Sequence, residues 1–368
     1  MRTADIAIVG AGVIGACIAE TLSRSSGLRI VLLERGTPGC EASNAAAGVL
    51  AAGSGQARRG VLLELRRRSA AMFPDLVARL QEETGIELGY RRDGLISLAL
   101  SEVEVVALYD LVGHRTTQGL RCEMLARADL LRLEPAVSPA VHAAALFPDD
   151  RAIHNERFVH ALIVAARRRG VELRAQTLVR SIVRSGSAVT LECDDGMLEA
   201  ARVIVAAGAW SAQLLAACGL KVPVRPARGE MMAIRPATWH LQHTLACGDG
   251  YLVPRAGGEV LIGSTTAFDG FDKQVTADGL ATLRARAATM VPCSGEATEL
   301  RSWAGLRPCS TIRRPIIAPL PGMENVILAT GHHRNGILLA PITARLVTEL
   351  VLGVPPSVPM RPFSYRKH

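Results

Sequence analysis

Gly10-Ala11-Gly12-Val13-Ile14-Gly15 is the segment that most restricts what this chain can fold into. It follows the apolar run Ile6-Ala7-Ile8-Val9 and is answered by Glu34, nineteen residues past Gly15, at the end of Arg29-Ile30-Val31-Leu32-Leu33. A strand, a glycine turn, a helix and a second strand ending in an acid are the opening of a dinucleotide-binding sheet. Each glycine has its own task. Gly10 lets the strand turn tightly, Gly12 lets the backbone approach a pyrophosphate, and Gly15 lets the helix lie close on its strand. The helix N-terminus presents unpaired N–H groups to phosphates. Glu34 is placed to accept hydrogen bonds from both hydroxyls of a ribose, and its charge repels a 2′-phosphate.

The remaining pattern extends this α/β start (α+β overall) into a second unit. A chain of 368 residues with 49% hydrophobic content can bury two cores. A small-residue loop from Gly36 to Gly60 precedes an expected helix from Arg66 to Thr84. Leu95 to Leu100 reads as a strand, followed by helical stretches on either side of Gly119. A helix from Asn155 to Arg169 stops at Gly170, and short strands lead into the buried run Val203 to Val205 with its turn Ala206-Ala207-Gly208-Ala209-Trp210. Residues 222–304 read as sheet-rich, with a hairpin at Gly257-Gly258, and the tail closes with the strand Val326 to Gly331 and a helix from Ile337 to Leu352. These signals predict a Rossmann-like nucleotide domain, discontinuous in sequence (1–85, 146–221 and 305–368), and a sheet-rich substrate domain (86–145 and 222–304).

The formal charge of +8 does not indicate a nucleic-acid partner. Of the 42 basic residues only Lys221, Lys273 and Lys367 are lysines, and the 39 arginines are spread along the chain without a basic tail. Clusters such as Arg66-Arg67-Arg68 read as solvated helix faces. The eight cysteines form no C-x-x-C pair and no metal spacing, and read as buried thiols of a cytoplasmic protein. No metal site is expected. No apolar run is read as membrane-spanning, and a leader ending near Cys17 is rejected because cleavage there would destroy the nucleotide fingerprint.

Four further segments resemble the flavin-dependent D-amino acid oxidase family, most closely its glycine oxidase branch, over nearly the whole chain. They are Ser43 with Ala45-Ala46-Ala47-Gly48, the turn Ala206 to Trp210, Trp303-Ala304-Gly305-Leu306-Arg307-Pro308, and Gly331-His332-His333-Arg334-Asn335-Gly336-Ile337-Leu338-Leu339-Ala340-Pro341. The resemblance implies that the dinucleotide is FAD, held without a covalent bond, and that Cys309 is not a flavin tether. It implies that Val13, Ile14, Glu34 and Arg35 meet the pyrophosphate and adenosine, with Ala42, Ser43, Ala47, Gly48 and Val49 beside the phosphates and flavin, Val179 at the adenine and Gly208 in the cofactor turn. His332, His333, Arg334, Asn335, Gly336, Ile337 and Leu338 would wrap the ring system. By the same resemblance Tyr251, Arg307 and Arg334 contact substrate, and the planar fork of Arg307 suits a carboxylate. Neither His332 nor His333 is assigned a proton-transfer step.

The activity so implied is hydride transfer to flavin from glycine, a small amine or a D-amino acid. Oxygen would be the acceptor, giving imine or 2-oxo acid, ammonia and hydrogen peroxide, with the glycine imine feeding thiamine synthesis. A dehydrogenase passing electrons to a quinone or protein is the alternative, and a flavoprotein subunit whose FAD is structural, or that acts only in an assembly, is a third. Relatives of this type are often homo-oligomers. Val49 and Thr266 stand where methionine is common, the loop Ala51 to Gln56 lacks the usual Pro and Glu, and Ile312-Arg313 replaces an acidic residue before Pro315. Strict glycine specificity therefore does not follow.

Overall fold

The computed structural model describes residues 2–25, 27–55 and 60–365; Gln56, at the end of the departing loop, lies outside the described residues. The strand Arg2–Val9 lies inside an eight-stranded sheet, paired in parallel with Ile30–Leu33 on one side and Gly196–Val205 on the other. Glu172–Arg174 continues the parallel order past Ile30–Leu33. Met323–Thr330 does so beside Gly196–Val205, with Ile316–Leu320 antiparallel at that edge.

Alternate residues of a strand face opposite sides of its sheet. Ile6, Ile8, Ile30 and Leu32 enter a core shared with the helices Val13–Ser25, Val61–Thr84, Asn155–Arg168 and Gly336–Leu352. Val9, Val31 and Leu33 enter a second core, closed by the antiparallel strands Val179–Ser185 and Ala188–Cys193 and by the helix Ser211–Ala216. Both faces are covered, which is why these strands read as unbroken apolar runs. Because Val9 pairs with Leu33 and with Val205, the turns after all three strands leave the sheet at one edge, where α/β sheets bind ligands.

The second sheet runs in the order Thr298–Ser310, Val224–Arg235, Val260–Gly263, Gly250–Pro254, Thr244–Cys247, Leu95–Ala99, Ala143–Phe147, Glu123–Leu125. Its neighbours are antiparallel except for Thr244–Cys247 beside Leu95–Ala99. Met231, Ala233 and Val253 face Ala47 of the first unit. The opposite face, with Met232, Ile234 and Ile262, packs on the helix Ala277–Met290.

Several expectations need correction. Helix Ala277–Met290 lies in the stretch read as sheet-rich, where no helix is expected; Thr276 Oγ1 caps it by accepting from the Gly279 N–H at 3.0 Å, and Leu283, Ala287 and Met290 form its buried stripe. Beyond Gly119 the chain first adds the edge strand Glu123–Leu125 and only then the short helix Arg127–Leu133. The long helix begins at Val61, a turn and more before Arg66. The positions 145/146 and 304/305 each fall inside a strand of the second sheet, Ala143–Phe147 and Thr298–Ser310. The cysteines are unpaired, but only Cys17 and Cys193 are buried and Cys40 is exposed. One 20-residue segment, His333–Leu352, is long and apolar enough to cross a membrane; two-thirds of it is buried inside the protein, where it serves as a core helix.

Candidate functional site

The glycine turn is shaped by its own backbone. Gly10 has φ of 105°, and a Cβ there would lie 2.5 Å from the Ala206 carbonyl oxygen, while one on Gly15 would lie 1.9 Å from the Gly10 carbonyl oxygen. No side chain fits at either place. Ser43 Oγ accepts from the Val13 N–H at 2.9 Å and ties the following loop to the helix start. Glu34 is fastened to the same turn: Oε2 accepts from the Ala11 N–H at 2.8 Å and Oε1 from the Gly36 N–H at 3.1 Å. Each carboxylate oxygen keeps a further acceptor site.

Two cavities open at this sheet edge and share walls at Gly12, Ala42, Ser43, Ala206 and Gly208, so they form one cleft. The larger, about 640 Å³, runs past Gly10, Glu34, Arg35 and Val179. At its wall the Arg35 guanidinium lies 3.6 Å from the centre of the Trp210 ring, and Phe271 packs against that ring with centroids 5.4 Å apart. The smaller, about 170 Å³, is walled by Val13, Ile14, Ala47, Gly48, Val49, Tyr251, Arg307, His332, His333, Arg334, Gly336 and Ile337.

Three expected residues, Gly15, Asn335 and Leu338, wall neither cavity. Gly15 packs on Gly10, and Leu338 is a core residue. Asn335 Oδ1 accepts from Arg66 Nε at 3.0 Å and Nη2 at 2.7 Å. Arg66 was expected on a solvated face; it is buried instead, and burial lowers its pKa to about 10. Arg67 and Arg68 do face solvent. The segment Ala42 to Gly48 is held from behind: Asn155 Nδ2 donates to the Ser43 carbonyl at 2.7 Å and Arg255 Nη2 to the Ala47 carbonyl at 2.9 Å.

At the inner end, Arg307 on Thr298–Ser310 pairs in register with Ala227, and Gly229 lies opposite Gly305. Arg307 Nη1 donates to the Thr265 carbonyl at 3.1 Å, and Tyr251 stands beside its guanidinium in the wall of the same cavity. Tyr251 Oη donates to Met231 Sδ at 3.3 Å. Burial lowers the Arg307 pKa, Tyr251 opposes that shift, and Arg334 adds to it. Arg334 Nη1 donates to Asp249 Oδ1 at 2.9 Å and Nη2 to Thr266 Oγ1 at 3.0 Å. His333 is pushed down to about 4 by burial, then by Arg307 and Arg334. His332, wholly buried beside Thr343 Oγ1 at 3.0 Å, falls to about 3 for lack of solvent. Both rings are neutral at neutral pH.

Sequence reasoning missed three contributors to this end. Gly229 makes room for the Arg307 guanidinium. Ser264 walls the cavity with a buried hydroxyl that has no hydrogen-bond partner. Asp249 holds Arg334. A signal existed for the last alone, an acid in a Gly-Asp-Gly turn two residues ahead of Tyr251.

Residues 5–350 match the DAO family of FAD-dependent oxidoreductases. The chain belongs to this family. It is an FAD-dependent oxidoreductase, and the cleft, with the acid Glu34 in the wall of its larger cavity and the first residue of the helix Val13–Ser25 in the wall of its smaller one, fits that cofactor. Among relatives, glycine oxidase of Geobacillus kaustophilus is 37% identical over 366 residues, covering 99% of this chain and 97% of that protein. Hydrogen cyanide synthase subunit HcnC of Pseudomonas aeruginosa is 33% identical, covering 95% of this chain and 93% of the relative. The crystal structure of the Geobacillus kaustophilus glycine oxidase superposes with a TM-score of 0.97 at 36% identity, covering 100% of both chains. Among the described residues of this family member, no group of three or more His, Cys, Asp or Glu could hold a metal ion.

Proposed function

We propose that the protein oxidises glycine, or other small amines and D-amino acids, to the imine, which water hydrolyses to ammonia and the oxo product (the 2-oxo acid from an amino acid), while oxygen takes the two electrons and becomes hydrogen peroxide. The observation that carries this reading is the partly buried Arg307, beside Tyr251, in a cavity that opens onto the dinucleotide cleft and has no carboxylate in its walls. The full-length kinship to glycine oxidases supports it.

FAD, when bound, supplies the acceptor for the hydride leaving the substrate's α-carbon. Glu34 would hold the ribose hydroxyls, and the turn Gly10–Gly12 with the N-terminus of Val13–Ser25 would hold the pyrophosphate. Val179 and Arg35 border the adenosine. Arg307 holds the substrate carboxylate by two parallel bonds and Tyr251 adds a hydroxyl, so that the α-hydrogen is aimed rather than free to rotate. A wall without acids, carrying Arg307, disfavours the ammonium form and keeps the amine lone pair available. The helix Gly336–Leu352 begins at the cavity, and the positive end of its dipole would favour negative charge on a group bound there.

A homo-oligomer is supported by the solvent-facing apolar stripe Val103, Val106 and Tyr109 on the helix Glu102–Thr117. A cytoplasmic location is supported by the unpaired cysteines. The kinship to a hydrogen cyanide synthase subunit favours one second reading, a flavoprotein subunit that acts within an assembly.

Glycine, sarcosine, D-alanine and D-proline, each added to the yellow protein under nitrogen, test the reading. At least one is expected to bleach the flavin, and air is expected to restore colour at a catalytically useful rate. Bleaching without prompt recovery selects the dehydrogenase; no bleaching by any of the four overturns the proposal.

A further inference from the structure

Two guanidiniums wall the inner cavity, Arg307 on its strand and Arg334 at the foot of the last helix. Two fixed cations would suit an amino acid with two carboxylates, the second taken by the second fork. Arg334 already has a counter-ion, because Nη1 is engaged by Asp249 at 2.9 Å and Nη2 by Thr266 at 3.0 Å. Asp249 sits in the two-residue turn between the paired residues Cys247 and Gly250, so the hairpin that delivers Tyr251 to the cavity also delivers an acid to its rim. The field of that acid reaches Arg307 as well, with a sign opposite to that of Arg334.

We propose that Asp249 is a specificity-determining residue that acts by charge: it cancels Arg334, leaves Arg307 as the sole carboxylate anchor, and so favours substrates with one carboxylate over those with two. The inference rests on the reading that this cavity takes an amino acid. A second substrate carboxylate near Arg334 must either displace Asp249 or lie beside it, and like charges side by side oppose binding. The pair is reached by solvent, with side chains 32% and 54% exposed, so its field is screened by salt. Discrimination should accordingly narrow as ionic strength rises.

The test uses the FAD-loaded wild type, Asp249→Ala and Asp249→Glu. Anaerobic flavin reduction is followed with D-alanine and D-aspartate, which differ by one carboxylate. Binding without turnover is followed by the change in flavin absorbance on titration with acetate and malonate. Asp249→Ala is expected to shift the preference toward the two-carboxylate member of each pair by about tenfold, the size of one ~1.4 kcal/mol charge contact. Asp249→Glu should retain the wild-type ratio, and added salt should narrow the ratio in wild type but not in Asp249→Ala. A ratio unchanged in Asp249→Ala, or equal losses toward both members, overturns the inference. If no amino acid reduces the wild-type flavin, the proposed activity fails, and the acetate and malonate titrations still decide the role of Asp249; absence of any absorbance change with both overturns it too.

Discussion

The guanidinium of Arg307 fills the space that a side chain on Gly229 would take: a Cβ built on Gly229 lies 2.0 Å from Arg307 Nη2. The two residues sit on adjacent antiparallel strands, and Ala227, not Gly229, is the register partner of Arg307. The arginine therefore leans along the sheet, across the missing side chain, to reach Tyr251 and the Thr265 carbonyl. The same device recurs beside it, where a Cβ on Gly263 would lie 2.4 Å from the Tyr251 ring.

Gly229→Ala should push the Arg307 guanidinium out of place. We expect half-saturation of anaerobic flavin reduction to rise about tenfold or more, with FAD content unchanged and stability lower by about 1–3 kcal/mol from overpacking. Stopped-flow reduction and chemical denaturation measure the two effects. Unchanged half-saturation would mean that the guanidinium's position does not govern substrate binding.

Glu34→Ala should weaken FAD binding by about 1.5–3 kcal/mol if both ribose bonds are charge-assisted. The apoprotein should also melt lower, because the Ala11 and Gly36 N–H groups lose their acceptor. Titration of the apoprotein with FAD separates the two consequences: a lower melt with unchanged FAD affinity would assign Glu34 to the turn alone.

Flavin should leave the chain on denaturation. Cys309, the thiol nearest the Arg307 segment, forms a backbone bridge with His332 and is only partly buried. Acid precipitation is expected to release all yellow colour into the supernatant; colour in the pellet would show a covalent link.

Local pattern carried the first unit because its determinants are close in sequence. The run Ile6–Val9, the three glycines and Glu34 sit within thirty-five residues, and alternation along Ile6 to Val9 separates the two cores. The inner cavity was less legible because its geometry depends on strand register. Gly229 and Arg307 meet across seventy-eight residues of chain, and Asp249 reaches Arg334 across eighty-five. Arg66-Arg67-Arg68 hid a buried charge for a different reason: a helix turns 100° per residue, so three identical neighbours face three directions, and only tertiary packing shows that Arg66 points to Asn335. The helix Ala277–Met290 escaped because alanines dilute its apolar stripe, although its cap, Thr276, was visible.

Acid should destabilise the fold through His332. Its pKa is near 3 when folded, against about 6.5 when unfolded. The unfolded state therefore binds the extra proton between these values, and the contribution is fully present above about pH 6.5 and lost as pH falls toward 3. The loss is on the order of a few kcal/mol at the acid end. His333, at about 4, adds a drop of the same sign over a narrower window. Denaturation curves from pH 8 to 4 should show this slope, reduced in His332→Asn; equal slopes in both proteins would remove His332 as its source.

Arg307 itself gives the sharpest test of the inner cavity. Its fork is held by the Thr265 carbonyl, with Tyr251 beside it in the cavity wall, and burial opposes its charge, so a substrate carboxylate is the counter-ion the pocket lacks. Removing it should cost around 2–5 kcal/mol of substrate binding, so Arg307→Ala should raise half-saturation of anaerobic flavin reduction about 10²-fold or more. FAD content should stay near wild type, because Arg307 walls the smaller cavity and not the larger. Arg307→Lys should restore only part of the loss, since an ammonium cannot form two parallel bonds in one plane. The decisive comparison pairs the best amino acid with an amine of the same skeleton lacking the carboxylate. Only the amino acid should suffer from Arg307→Ala. Equal losses toward both compounds, or none, would show that the carboxylate is held elsewhere and that Arg307 serves only to balance charge within the strand pair.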